Sequence, residues 1–354
     1  MDIARKIRLI SVKVVTLLCF NVYSQDIHFS QFLMSPFLQN PSFAGKFGGD
    51  YRGITNYRSQ WRSATSKPFQ TFGASFDMHL NQDGRKDNFF GLGLSVYTDK
   101  AGASSMQTTL VDLVISYHIK IDRQSYISAG LQAGLNQRSF DPSDLEFDSQ
   151  FDGTGHNPAL NSGEIFLNTS VMKPSVAAGI SYSWADNQTH HVVNNNGFNG
   201  KKLNIGFSVQ HFNTPTYLFV SEDKLGMRYI GSINSSFGID NTNLAIQPSG
   251  FISVQKKAID AVIGSMFRYT LREQSKFTGM IKGAAISVGG HYRVSDAFIS
   301  NFLLEIGSIA VGFSYDFNVS SLTPISRSRG GFELSIRYIS PNPFGGAKSQ
   351  ARFF

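Results

Sequence analysis

The stretch Phe69-Gln70-Thr71-Phe72-Gly73-Ala74-Ser75-Phe76-Asp77-Met78-His79-Leu80 sets Phe72, Ala74, Phe76, Met78 and Leu80 against Thr71, Gly73, Ser75, Asp77 and His79. Successive side chains of a strand point to opposite faces, so this segment has one apolar and one polar face. The segments that follow repeat it. Phe90, Leu92, Leu94 and Val96 stand against Gly91, Gly93, Ser95 and Tyr97, and Val111, Leu113, Ile115, Tyr117 and Ile119 against Asp112, Ser116 and His118. Ile127, Ala129, Leu131, Ala133 and Leu135 stand against Ser128, Gln132, Asn136 and Arg138. Further strands are expected at 51–61, 173–184, 201–212, 227–239, 243–256, 259–270, 284–294, 297–306, 308–318 and 330–340. Ten residues rising about 3.3 Å each and tilted by about 40 to 45° cover about 24 Å, the height of an outer-membrane apolar band. The fold class is therefore all-β: a transmembrane antiparallel β-barrel of about 14 strands, an even count that returns the chain to its starting side.

Strand 51–61 orients the wall. An Arg on the lipid face near the midplane costs about 2 to 4 kcal/mol, so Arg52 and Arg58 face the lumen with Asn56 and Gln60. Tyr51, Tyr57 and Trp61 then face lipid, those nearest the ends in an interfacial belt, and Ile54 breaks the pattern by pointing inward. Inward Asp77, Asp112, Asp316 and Glu333 face inward Arg52, Arg138 and Arg293, a polar network that is either structural or a solute path.

Composition agrees with a barrel. Charged residues are 16% of the chain, against about 25% in soluble domains. Gly (33) and Phe (31) are abundant, and mean hydropathy is -0.13. A β-sandwich or propeller also alternates, but one of this length carries more surface charge. No run of about 18 apolar residues follows the leader, which excludes spanning helices.

The leader is residues 1–24, read as a cleaved signal peptide. Arg5, Lys6 and Arg8 precede the apolar 9–20, and Val22-Tyr23-Ser24 offers a cleavage site. Cys19 lies inside it behind Leu18, so the mature chain is expected to hold neither cysteine nor lipid anchor. The leader's four basic residues and Asp2 account for part of the net charge of +7, leaving +4, too little to argue for nucleic acid.

Residues 25–50 form a second unit. Asn40-Pro41 is a turn dipeptide and 45–49 is glycine-rich, so irregular backbone is expected. Irregular backbone cannot face lipid, and Phe29, Phe32, Phe37 and Phe43 need burial. The segment is read as a plug or seal on the periplasmic side, with a mere tether as the other possibility. The barrel occupies 51–340, and 341–354 is a basic tail. Pro341, Pro343, Gly345 and Gly346 keep Phe354 out of the last strand, and Lys348 and Arg352 are offered to a periplasmic partner. With the N-terminus periplasmic, 121–124, 240–243 and 306–308 are short periplasmic turns and 141–172 is extracellular. The connections 185–200 and 271–283 are longer than the rule expects.

Chemistry finds little support. His190-His191 are adjacent and point to opposite faces of a strand, no Gly-x-Ser-x-Gly elbow occurs, and the acidic Asp141, Asp144, Glu146, Asp148 and Asp152 lack EF-hand spacing. Gly91 and Gly93 mark close packing or a kink in the wall. No enzyme, metal or cofactor is expected.

The landmarks before and along the strands add a resemblance. Gln25-Asp26-Ile27-His28-Phe29-Ser30-Gln31-Phe32, Asn40-Pro41-Ser42-Phe43-Ala44-Gly45, Tyr57-Arg58-Ser59-Gln60-Trp61 and Lys67-Pro68-Phe69 resemble the N-terminal signature of the PorP/SprF family, outer-membrane barrels of the Bacteroidetes type IX secretion system. Gly206-Phe207-Ser208 with His211 and Pro215, Gln247-Pro248-Ser249, Gly290-His291-Tyr292-Arg293, Gly312-Phe313-Ser314-Tyr315-Asp316 and Gly330-Gly331-Phe332-Glu333 look like its later landmarks. Ser42 stands where Ala is usual, and Ser66-Lys67 where Gly precedes the proline. The resemblance implies family-motif residues Asn40, Pro41, Ala44, Gly45, Arg58, Gln60, Trp61, Pro68, Tyr315 and Asp316. It also implies a non-catalytic role in protein secretion or gliding motility. One branch, SprF-like, assists secretion and surface retention of a large adhesin through its C-terminal domain. The other, PorP-like, links the outer membrane to periplasmic ring and peptidoglycan-binding partners. A porin or ligand channel is the competing class.

Overall fold

The computed structural model describes residues 26–340 except 63–64, 66, 81–87, 103–104, 143–144, 152–154, 158, 166, 187–199, 220–221, 273–282 and 321–322. Fourteen strands close into one antiparallel barrel. In chain order they are β1 (Tyr51–Gln60), β2 (Phe69–Leu80), β3 (Phe89–Ala101), β4 (Met106–Lys120), β5 (Ser125–Ser139), β6 (Ser170–Ala185) and β7 (Lys201–Gln210). After a small hairpin, β8 (Thr216–Leu218) and β9 (Glu222–Lys224), come β10 (Arg228–Gly238), β11 (Leu244–Gln255), β12 (Ala258–Arg272), β13 (Ala284–Arg293), β14 (Ala297–Ile306), β15 (Ile309–Asn318) and β16 (Arg329–Ile339). Each pairs with its neighbour in sequence, and β1 closes the ring on β16, with Arg58 opposite Glu333. Closure leaves no wall strand with an unpaired edge, which a bilayer would not tolerate.

The alternation decides the faces. In β4, Val111, Leu113, Ile115, Tyr117 and Ile119 are exposed outward while Asp112, Ser116 and His118 are buried inward. Tyr51 packs against Phe76 and Tyr338 at one rim of the outer face. Ile54 is buried on the inner face as expected. Trp61 differs from the expectation. β1 stops at Gln60, the Trp61 backbone takes φ 59, and its ring turns onto Phe69 with centroids 4.9 Å apart. The left-handed backbone breaks the alternation that assigned it to lipid.

The ring has a terminal end, where β1 begins and β16 finishes, and a far end. The long 140–169 connection and the hairpin β8–β9 lie at the far end, where the backbone N–H of Leu167 donates to Phe219 O (3.0 Å). The terminal end carries the tight turns 121–124 and 307–308. The leader with Cys19, Ser66, Asp144, Asp152, the pair His190-His191 and the tail with Lys348, Arg352 and Phe354 lie outside the described residues.

Candidate functional site: a filled lumen

Residues 26–50 lie inside the barrel and run its whole height. The expected plug is present, and it reaches further than the end where β1 begins. Asp26 sits at the far end, its carboxylate 2.9 Å from His211 Nε2, 2.8 Å from Gln255 Nε2 and 3.7 Å from Arg138 Nη2. Burial pushes that carboxyl up, but His211, Arg228 and Arg138 outweigh it and hold the group below the usual carboxylate range. At the terminal end Phe47 packs under the Arg52 guanidinium, 4.8 Å from ring centroid to Cζ, and a Cβ on Gly49 would overlap the Ser340 carbonyl.

Between these points the wall supplies the hydrogen bonds that irregular backbone lacks. Asn56 Nδ2 donates to Met34 O (2.7 Å), Gln210 Nε2 to Leu38 O (2.6 Å) and Ser116 Oγ to Ala44 O (2.8 Å). Asn40 works in both directions. Its Oδ1 accepts from Ser42 N, capping the short helical turn Pro41–Phe43, and its Nδ2 donates to the carbonyls of Ile180 and Phe207 in the wall. That reach exists because Gly179 and Gly206 carry no side chain there. A Cβ on Gly91 would likewise overlap the Ala44 carbonyl, one on Gly93 the Phe37 ring and one on Gly130 the Pro41 backbone. Gly91 and Gly93 are thus points of close packing, without which the segment would not fit.

Charges lock the same contact. Arg58 Nη2 lies 3.1 Å from Asp316 Oδ2 and Nε 3.3 Å from Glu333 Oε1, while Nη1 donates to His28 O (2.9 Å). The two carboxylates also grip the plug: Ser30 Oγ donates to Asp316 (2.7 Å) and Gln31 N to Glu333 (2.9 Å). Arg293 meets Asp316 at 3.2 Å and donates to Ser30 Oγ (2.9 Å). Arg52 binds Asp77 through two nitrogens, 2.9 and 2.8 Å, and Asp77 accepts from Gly45 N (2.8 Å).

The remaining expected residues are more scattered. Arg138 turns to Asp26 and Asp223 at the far end. Asp112 forms no ion pair among the described residues. Register sets it opposite Gly134, whereas Arg138 lies opposite Thr108, nearer the far end. Gln60 is half-buried at the end of β1 beside Gly331, and Pro68 is half-buried just ahead of β2. Tyr315 faces outward and packs on Phe317, centroids 4.8 Å apart. Sequence reasoning missed Asp26, His28, Ser30 and Gln31 as ligands of the wall charges, because no periodicity reveals the path of an irregular segment. It also missed Arg268, Glu305 and Arg337, which the inward parity that located Arg52 would have found.

A closed antiparallel barrel, apolar outside and holding a polar, charge-locked segment inside, is a membrane β-barrel. The chain belongs to the family described as type IX secretion system membrane protein PorP/SprF, whose model matches residues 21–338. That membership places it in the outer membrane as a barrel component of protein secretion. No match is found among curated proteins. Solved structures similar to it include a Pseudomonas aeruginosa FadL homologue (TM-score 0.46, 10% identity, 84% of this chain and 92% of that one). The deltaS2S3 mutant of the TodX monoaromatic hydrocarbon channel gives TM-score 0.46 at 9% identity, covering 88% of this chain and 94% of that one. CdiB from Acinetobacter baumannii gives TM-score 0.40 at 8% identity over 82% of this chain, which spans 60% of CdiB's length.

Proposed function

We propose that this protein is a non-catalytic, SprF-like platform of type IX secretion: it assists secretion of a large adhesin and retains that adhesin's C-terminal domain at the cell surface. The observation that carries the reading is the occupied lumen. A segment tied to the wall by Arg58, Asp316, Glu333 and Arg293 fills the path a solute would take, leaving the rims and connections as the working surface. Family membership supports the secretion role. The network of Arg52, Asp77, Arg58, Arg293, Asp316 and Glu333 is structural in this reading, and Asn40, Pro41, Ala44 and Gly45 serve the plug. Residues 1–24 act as the cleaved signal peptide, and 341–354 stay in the periplasm.

Two measurements test it. Purified protein in a planar bilayer is expected to show no steady conductance; stable open-channel current favours a porin or ligand channel and overturns the platform. Deletion of the gene followed by surface proteomics is expected to remove one large adhesin. Loss of all type IX cargo instead favours the PorP-like role, coupling to the periplasmic ring and peptidoglycan-binding partners.

A further inference from the structure

The segment does not fill the lumen evenly. Between its residues 31–36 and the wall lies a cavity of about 280 Å³ that reaches Gly200 and Ile339 at the terminal end. Its lining is unbalanced in charge. Arg268 and Arg337 share Glu305, at 2.7 and 2.9 Å, and Lys202 lines the same space. Among the described residues Glu305 is the one carboxylate in the lining. Lys46 of the plug adds a cation close by, held by the neutral oxygens of Ser181 (3.1 Å) and Asn204 (3.0 Å). Arg52, which also borders the cavity, is matched by Asp77, and elsewhere in the lumen Arg58, Arg138 and Arg293 each meet a carboxylate. Positive charge therefore collects where the lumen is hollow.

Two further observations point to an occupant. Asn204 Nδ2 and Asn234 Oδ1 have no hydrogen-bond partner among the described residues, both residues are more than nine-tenths buried, and both border the cavity. Facing them, the plug offers hydrocarbon: Leu33 remains 40% exposed although it lies inside the barrel, beside Phe32 and Pro36, with Met266 and Leu303 on the wall. A surplus of cations away from bulk water favours an anion, and exposed apolar surface favours a hydrocarbon body. A few convergent polar groups on a mostly apolar hollow are the usual make-up of a small-ligand site.

We propose that this cavity binds an apolar carboxylate, its head held by Lys202, Arg337 and Asn204 Nδ2 and its hydrocarbon body laid against Leu33 and Pro36. The same chemistry is offered by a free small acid and by the C-terminal end of a polypeptide. The site does not depend on the secretion role proposed above.

The test uses full-length protein in phosphatidylcholine nanodiscs and 4-phenylbutyrate as probe, followed by equilibrium dialysis. Saturable binding at a single site is expected, about tenfold weaker for the neutral amide of the probe and about tenfold weaker in Lys202→Gln. Leu33→Asp should abolish it. Lys202 makes no ion pair among the described residues, so Lys202→Gln should keep the barrel's heat-dependent gel shift; if Leu33→Asp fails to insert, Lys202→Gln and the amide decide. Absence of saturable binding, equal affinity for the amide, an unchanged Lys202→Gln, or acetate binding as well as the probe each overturns the proposal. A short peptide with an apolar last residue and a free carboxylate separates the sources. Tighter binding than the probe, lost on amidation, identifies a polypeptide end, and weaker binding identifies a small acid.

Discussion

Replacing Arg58 by Gln would leave Asp316 and Glu333 facing each other, all three side chains being 2% exposed. Removing one partner from a buried ion cluster costs about 3 to 5 kcal/mol, and here Glu333 would lose its paired cation while Asp316 would keep only Arg293. The temperature at which the folded band disappears on a heat-modifiability gel should fall markedly, and Arg58→Lys, which keeps the charge, should lose less. An unchanged transition would mean that the cluster does not hold the plug. Asp26 gives a pH signature. Its carboxyl is lowered in the folded protein, so its contribution to stability is complete above the unfolded value of about 3.9 and is lost as pH falls towards the lower native one. Stability should therefore change little through this group between about pH 7 and 5 and fall below about pH 4. In Asp26→Asn that part of the acid dependence should vanish. Arg58 could be read from sequence because lipid forbids an arginine on the outer face. Asp26 could not, since its partners His211, Gln255 and Arg138 come from separate stretches of chain that only the curling of the sheet brings together.

At the scale of single elements, the two faces of β4 should respond oppositely to charge. Leu113 is 67% exposed on the outer face, and Leu113→Arg should cost about 2 to 4 kcal/mol of barrel stability, measured by urea unfolding in lipid. Asp112→Asn, one residue away on the lumen side, should cost less, and similar losses would contradict the assigned faces. Gly91→Val should leave the strands paired and dislodge the plug near Ala44, seen as protease cleavage within residues 26–50, whereas Gly53→Ala, whose Cβ meets nothing within 4 Å, should not. Strand number and faces were legible because lipid and lumen impose a period of two. The ends were less so. β3 runs to Ala101 and β4 starts at Met106, beyond the expected 98 and 109, because alternation relaxes where strands leave the apolar band. The hairpin β8–β9 has three-residue strands, too short for any period to register. Gly130, Gly179 and Gly206 mark the track of the plug, yet a glycine in a strand does not say what approaches it.

For the whole molecule, the distribution of connections gives its orientation. Short turns occur at both ends, but the longest connection between wall strands, 140–169, stands at the far end together with the β8–β9 hairpin, as the outer loops of such barrels do. An epitope inserted in 140–169 should be stained on intact cells, and one in 121–124 only after the outer membrane is opened; the reverse would invert the orientation. The path of the plug has a consequence for assembly. Residues 26–50 enter at the far end and leave beside β1, and the ring is sealed by the seam between β1 and β16, the first and last strands to be synthesised. A finished ring would admit the segment only if its upstream end were threaded through the entire bore. It is simpler for the wall to wrap around a segment already in place, so a chain truncated before β16 should leave residues 26–50 open to protease. Built in that order, the protein crosses the membrane without at any stage being a hole in it.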